Sequence, residues 1–329
     1  MYRMKDVEYG GYDMSKYEFK ITVADGTMLE AKLNKAKKET IGVVHLLHGM
    51  AEHMDRYDRL VESLNQQGYD VLRHNHRGHG KDIDEHTRGQ IDDLSQVAED
   101  TYEIAQTMCA HYSHIPYIVI GHSMGSIVAR IFIQKYPSAA QGVILSGTMQ
   151  YPRYLGVPMT IILKVITLFF GKHRRMTWLN RIMYRSFNKN IDHQKTSSDW
   201  LSNDAHEVEQ FIKDPYTGFL VSNQLIYQTV KHMIQTSRAQ NIKKMNPYLP
   251  ILLISGKDDP LGEYGKGIRK LGKLYKKAGI HHITVHLYKN KRHEVLFEQG
   301  FHETWDHMYE WIKKQILNKQ KHEDKHKES

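Results

Sequence analysis

The sequence holds a single cysteine, Cys109, so an internal disulfide and a thiolate zinc cluster are both excluded. That scarcity suits a reducing compartment. Neither an RNA-binding signature nor a basic region followed by heptads is present, and no internal repeat or low-complexity segment occurs. A long hydrophobic run is missing too. The longest apolar stretch, residues 157–170, is interrupted by Pro158, Thr160, Lys164 and Thr167. It falls short of the roughly 20 apolar residues that a spanning helix needs. Residues 1–15 are polar and charged, where a secretion signal would carry an apolar core of about 7–15 residues. The expectation is a cytoplasmic protein.

What is present is the balance of a globular chain: 40% apolar and 25% charged residues exclude disorder for the bulk of it. A length of 329 residues suits either two domains or one α/β domain with an insertion. Lysine and arginine outnumber aspartate and glutamate 46 to 37, a net charge of +9. Part of that charge is local, because residues 313–329 are polar and Lys-rich and read as a solvated helix end or tail. With no nucleic-acid signature, the charge fits an anionic membrane surface better than nucleic acid. The oligomeric state stays open.

Residues 17–33 alternate around Asp25-Gly26, a hairpin signal. A strand–helix rhythm follows. Strands are expected at 41–47, 69–73, 117–120, 142–145, 250–254 and 283–288, and helices ending near 67 and over 94–112, 124–136, 264–278 and 303–318. Alternating apolar strands and helices predict a mostly parallel sheet covered on both faces. The rhythm breaks between 150 and 246, which reads as several helices without a clear strand. An insertion there would cap the carboxyl edge of the sheet, where ligands bind in open α/β folds. The expected division is an α/β core at 1–149 and 247–318, a helical cap at 150–246 and a charged tail at 319–329.

The chemistry-bearing motif is Gly121-His122-Ser123-Met124-Gly125, placed between an apolar strand and a helix. There G-x-S-x-G makes a sharp turn that exposes a nucleophilic serine, and the glycines keep side chains clear of the neighbouring strand and helix. Ser123 is therefore the candidate nucleophile. A serine needs a base, and the base an orienting carboxylate, in the chain order Ser, acid, His. The loop after strand 250–254 offers two carboxylates, Asp258 and Asp259, and the loop after strand 283–288 offers His293. Two backbone N–H groups are expected to hold the oxyanion: Met124, after the nucleophile, and Met50, in the loop His48-Gly49-Met50.

These residues resemble the monoacylglycerol lipase and lysophospholipase family of α/β-hydrolases. The family's H-G-x-x-E-H-x-x-R-Y loop is matched at 48–57, its D-x-R-G-H-G loop at 75–80 with Asn75 in place of the acid, and its G-H-S-M-G at 121–125. Asp258-Asp259-Pro260 resembles the G-x-x-D-P acid loop, which points to Asp259, and Arg292-His293-Glu294 resembles the R-H-E base loop. Asp199-Trp200-Leu201-Ser202 and residues 214–219 look like the cap of bacterial members. The resemblance implies the α/β-hydrolase fold and an acyl-enzyme on Ser123 formed from a single-chain glycerolipid ester, with no cofactor. It also implies that Glu52 and Arg56 line the polar end of the pocket; an ion pair anchoring their loop is the other reading of the same two residues. His79 and Arg77 are expected to brace the second loop.

Two further features of the sequence bear on function. His74, His76 and His79 have H-x-H-x-x-H spacing, but Gly78 stands where metallo-hydrolases carry an aspartate, and no metal is expected. Residues 157–170, followed by Lys172, His173, Arg174 and Arg175, suit a cap helix packed over the pocket, or one that dips into a lipid surface.

Overall fold

The computed structural model of the chain describes residues 16–109, 112 and 114–318; the tail expected at 319–329 lies outside them. Eight short strands form: β1 (Lys16–Thr22), β2 (Met28–Asn34), β3 (Gly42–Leu47), β4 (Tyr69–His74), β5 (Tyr117–His122), β6 (Gly142–Ser146), β7 (Ile251–Gly256) and β8 (Ile283–Tyr288). They make one sheet in the order β1-β2-β4-β3-β5-β6-β7-β8. The first two pairings, β1 with β2 and β2 with β4, are antiparallel; all the others are parallel. The hairpin turns at Gly26, whose φ of 84° is open to glycine without steric cost.

Among the described residues ten helices accompany the sheet: α1 (Asp58–Gln67), α2 (Leu94–Met108), α3 (Met124–Lys135), α4 (Arg153–Phe170), α5 (Thr177–Phe187), α6 (Ala205–Lys213), α7 (Asn223–Thr236), α8 (Ala239–Ile242), α9 (Lys266–Lys277) and α10 (Phe301–Ile312). Parallel strands require crossovers, so helices cover both faces and the strands are apolar throughout. Alternate side chains divide between the faces. Val43, Leu47, Val119, Val143 and Leu145 join the core that includes residues of α2, α3 and α9. Val44, Leu46, Ile118, Ile120 and Ile144 join the one that includes residues of α1 and α10.

Two helix ends differ from the periodicity. The helix expected over 94–112 stops at Met108, and Tyr112 instead turns its hydroxyl to the Asp70 carboxylate. The last helix begins at Phe301 and finishes as a π-helical turn, Lys313–Leu317.

Between β6 and β7 the chain forms α4 to α8 and a 3-10 turn, Asp199–Leu201, which together make the inserted helical cap of an α/β-hydrolase fold. Here the structure corrects the reading of a broken apolar run. α4 continues through Pro158 for 18 residues, with the proline at its sixth position, where it forfeits one intrahelical hydrogen bond. The helix has a mean hydropathy of 1.5, yet only 17% of it is buried. It rests on α7 along one stripe, with Gly156 against Ile234, and turns its other side outward.

Candidate active site

The carboxyl ends of β3, β5, β7 and β8 converge on one region. Ser123 follows β5 directly and opens α3 in a conformation that non-glycine residues rarely adopt, φ 51° and ψ −118°. Such backbone costs on the order of 1–3 kcal/mol and persists only where the surroundings enforce it. Here they do. A Cβ on Gly121 would stand 2.5 Å from the Gly125 carbonyl oxygen, and one on Gly125 would stand 2.2 Å from that of Leu47. The Ser123 N–H donates to Ser146 O at 2.9 Å, and Ser126 Oγ donates to Ser123 O at 2.6 Å.

The two carboxylates after β7 are separated by burial. Asp258 is exposed, whereas Asp259 is fully buried. Asp259 Oδ1 accepts from Leu261 N–H at 2.9 Å, and Oδ2 accepts from Ser255 Oγ at 3.1 Å. The same Oδ2 lies 3.1 Å from His293 Nδ1, which fixes that nitrogen as the donor. His293 is 1% exposed, and its Nε2 has no hydrogen-bond partner. Burial works against the imidazolium, but the charge and hydrogen bond of Asp259, reinforced by Glu294 and Glu52, outweigh it and raise the pKa above its ordinary value. For Asp259, burial opposes ionisation, yet the His293 charge and hydrogen bond hold its pKa below the ordinary value. Both influences favour a charged pair once the base has taken a proton.

The two candidate oxyanion donors sit at the ends of β3 and β5. Met124 is the first residue of α3, so no carbonyl one turn back competes for its N–H. The half-buried Met50 has no backbone acceptor among the described residues. Its neighbour Ala51 adopts φ 55° and donates to His79 Nε2 at 3.1 Å.

Glu52 and Arg56 turn inward. Glu52 is 2% exposed and takes hydrogen bonds from Gly49 N–H, Tyr57 Oη (3.0 Å) and Arg56. Arg56 also forks onto Glu294 at 2.7 and 3.1 Å, between the rings of Phe211 and Phe297. Their polar atoms are thus occupied with one another and with Glu294. His79 and Arg77 brace the second loop: His79 Nδ1 donates to Arg77 O at 2.8 Å, and Arg77 forks onto Asp100 at 2.6 and 2.7 Å.

Of the H-x-H-x-x-H histidines, His74 and His76 belong to a directional chain, while His79 bonds Ala51 N–H and Arg77 O. Tyr117 Oη donates to His45 Nδ1 (2.6 Å), His45 Nε2 to His74 Nδ1 (2.9 Å), His74 Nε2 to His76 Nδ1 (3.2 Å), and His76 Nε2 to His48 O (3.1 Å). The carbonyl at the far end must accept, which sets every tautomer. His48 then holds the loop: Nε2 accepts from His76 N–H at 3.0 Å, and Nδ1 donates to Gly49 O at 2.8 Å.

Three contributors carried no signal of role in the sequence. Glu294 completes the Arg56 cluster, although its motif had been noticed only for His293. Trp200, from the cap between the serine and acid motifs, lays its ring 4.9 Å from the His293 ring. Gly147 leaves space for the base, since a Cβ there would stand 2.9 Å from His293 Cε1. His122 places its ring 4.9 Å from His293 on another side.

A strained serine between strand and helix, beside a buried Asp–His pair at the carboxyl edge of a capped, mostly parallel sheet, defines the protein as an α/β-hydrolase. Its residues 38–300 match the profile of the Hydrolase_4 family, described as serine aminopeptidase S33, and the chain belongs to that family. It is similar to a monoacylglycerol lipase of Mycolicibacterium smegmatis, 35% identical over 106 residues, which are 32% of this chain and 37% of that protein. Similarity to a rat monoglyceride lipase is 28% over 193 residues, 58% of this chain and 57% of the relative. The chain therefore spans well under two thirds of either relative. The fold matches that of a thermostable carboxyl esterase from Bacillus coagulans in complex with glycerol, with a TM-score of 0.84, 26% identity, and coverage of 93% of this chain and all of that one.

Proposed function

We propose that the protein hydrolyses carboxylic esters of single-chain glycerolipids, monoacylglycerols or lysophospholipids, through an acyl-enzyme on Ser123. The observation that carries the reading is the buried His293, pinned through Nδ1 by Asp259 and left with an unpartnered Nε2. His293 Nε2 removes the Ser123 hydroxyl proton as the oxygen attacks the ester carbonyl, and Asp259 stabilises the imidazolium that results. The N–H groups of Met50 and Met124 receive the oxyanion, in a loop whose geometry is fixed before the substrate arrives. The imidazolium then protonates the departing alcohol, and a water activated by the same nitrogen releases the acid. No step calls on a metal or an organic cofactor.

We assign Glu52 and Arg56 to holding the oxyanion loop rather than to meeting a headgroup, since their polar atoms already face Glu294 and the loop backbone. The glycerolipid class is supported by the names of the similar proteins and by the outward apolar face of α4. Phe169 is 81% exposed and Leu168 72%, with Lys172, His173 and Arg174 exposed beyond them. That combination suits peripheral contact with an anionic lipid surface.

A fluorophosphonate probe is expected to label the protein, with labelling and ester turnover both lost in Ser123→Ala. Turnover is then compared across p-nitrophenyl esters of rising chain length, a monoacylglycerol, a lysophospholipid and an aminoacyl amide. Cleavage of the amide with no glycerolipid turned over overturns the reading in favour of a peptidase, the activity for which the family is described.

A further inference from the structure

Within the cap, α5 and the Asp199–Leu201 turn flank an open cavity of about 310 Å³, with Arg181 and Arg185 exposed at it, large enough for a small polar group. Two of its walls are aromatic rings that also touch the site described above. Trp200 packs against His293 at 4.9 Å, and Phe211 lies under the Arg56 guanidinium at 4.8 Å. The cavity is therefore one ring's thickness from the candidate base. Its lining contains two arginines, Arg181 and Arg185, one helical turn apart on α5, and no carboxylate. Neither guanidinium has a hydrogen-bond or ion-pair partner among the described residues, whereas Arg56, Arg59, Arg73, Arg77 and Arg88 each bind an acid. The cavity's amides, by contrast, are already engaged: Asn180 bonds the Val221 backbone and Asn188 that of Ser197. Among its charged and amide groups, the unspent capacity is cationic.

Acyl transfer gives this position a meaning. The imidazolium donates its proton to the departing alcohol, so the alcohol half of the ester lies on the His293 side of the scissile bond. A cavity flanking His293 is placed for that half, and guanidinium pairs select phosphate by charge and by paired hydrogen bonds. We propose that the Arg181–Arg185 cavity is a phosphate subsite for the leaving alcohol, so that a phosphate-bearing single-chain glycerolipid is preferred to a neutral glyceride of the same acyl chain. This rests on the glycerolipid reading and chooses between its two substrates.

The test compares kcat/KM for 1-palmitoyl-glycerol 3-phosphate and 1-palmitoylglycerol at fixed non-ionic detergent. In Arg181→Gln/Arg185→Gln the phosphate-to-neutral ratio is expected to fall about tenfold or more, mainly through KM, as loss of a charge-assisted hydrogen bond implies. Lys273→Gln/Lys276→Gln on α9 removes the same charge from another surface and is expected to keep the ratio. An unchanged ratio in the arginine variant, or an equal fall in the lysine variant, overturns the subsite. Calorimetry with glycerol 3-phosphate reads the cavity without turnover. Binding by the wild type that is lost in the arginine variant supports the subsite even where no glycerolipid is hydrolysed, which would sink the substrate reading alone. Absence of binding by the wild type, or equally tight binding of inorganic phosphate, overturns the assignment to a headgroup.

Discussion

Around the first loop the polar atoms are turned inward and spent on one another, whereas on the cap large apolar side chains are turned outward. Glu52, Arg56, Glu294 and four linked histidines, His45, His74, His76 and His48, turn their polar atoms to one another, with Glu52 only 2% exposed. On α4 and α5, Tyr154, Ile161, Ile162, Leu168, Phe169 and Ile182 are all more than half exposed. A buried polar network is costly when incomplete and rigid when complete, so it suits groups that must hold two N–H donors in place. A contiguous exposed apolar face satisfies nothing in water and marks a surface that meets another phase or partner. The same chain thus fixes its chemistry at one region and leaves its contacts open at the other.

The contrast breaks most sharply at the buried pair. Asp259→Asn keeps the shape but loses the charge that orients and stabilises the imidazolium, so kcat is expected to fall roughly 10³- to 10⁴-fold. The pH profile carries the sign. His293 must be neutral to accept a proton, and its raised pKa places the acid limb of kcat/KM above the ordinary imidazole value of 6.5. Without the Asp259 charge, burial dominates and the limb moves to lower pH. A limb below 6.5 in the wild type would contradict the pairing. Next in size is Arg56→Met, which leaves Glu52 and Glu294 buried without their shared cation. A loss of about 3–5 kcal/mol is expected by urea unfolding; a loss under about 1 kcal/mol would mean that the cluster is solvated.

The histidine chain predicts a graded effect. Burial pushes the pKa of His45 down to about 3. Burial, with His79 beside it, takes His76 to about 3, and burial takes His79 to about 4. In the unfolded chain each ring binds a proton near pH 6.5. Between those values the unfolded state holds more protons, so stability is full above pH 6.5 and falls as pH drops, by about 1.4 kcal/mol per unit for each ring. His293, shifted upward, contributes stability that is full below pH 6.5 and lost only above it, so it does not reverse this fall. Asp93, held low by its hydrogen bond to His232, loses its contribution only below the ordinary carboxylate value of 3.8. A urea midpoint that does not move between pH 6.5 and 5 would show that these rings are not buried as neutral species.

The core was readable because its signals are local. A parallel strand buried on both faces must be apolar, as β5 is, and a serine elbow must carry glycines two residues either side. The choice of Asp259 over Asp258 needed the family motif; in the structure Asp259 is buried against His293 and Asp258 is exposed. Pairings distant in sequence left no such trace. Glu294 meets Arg56 across 238 residues, and Trp200 reaches His293 from the cap, so nothing near either residue announces the contact. The histidines misdirect for the same reason: spacing within 74–79 suggests a ligand set, while partners that occupy their nitrogens, His45, the His48 carbonyl and the Ala51 N–H, come from another strand and loop.

The smallest effect on folding is expected where the contrast is most exposed. Phe169 and Leu168 end α4 with most of their surface in water, so Leu168→Ser/Phe169→Ser is expected to change stability by less than about 0.5 kcal/mol per residue. Burying two such side chains in a lipid interface is worth about 1.5–3 kcal/mol each. Co-sedimentation with vesicles containing anionic lipid, in low salt, is therefore expected to drop at least tenfold in the variant, and added salt is expected to weaken wild-type binding through screening of Lys172 and Arg174. Charge alone makes a different prediction: binding that disappears with salt yet ignores the serine substitutions assigns the contact to the net +9 of the chain. In that case the outward face of α4 has another occupant, and the division between a self-satisfied site and a lipid-seeking cap fails at the cap.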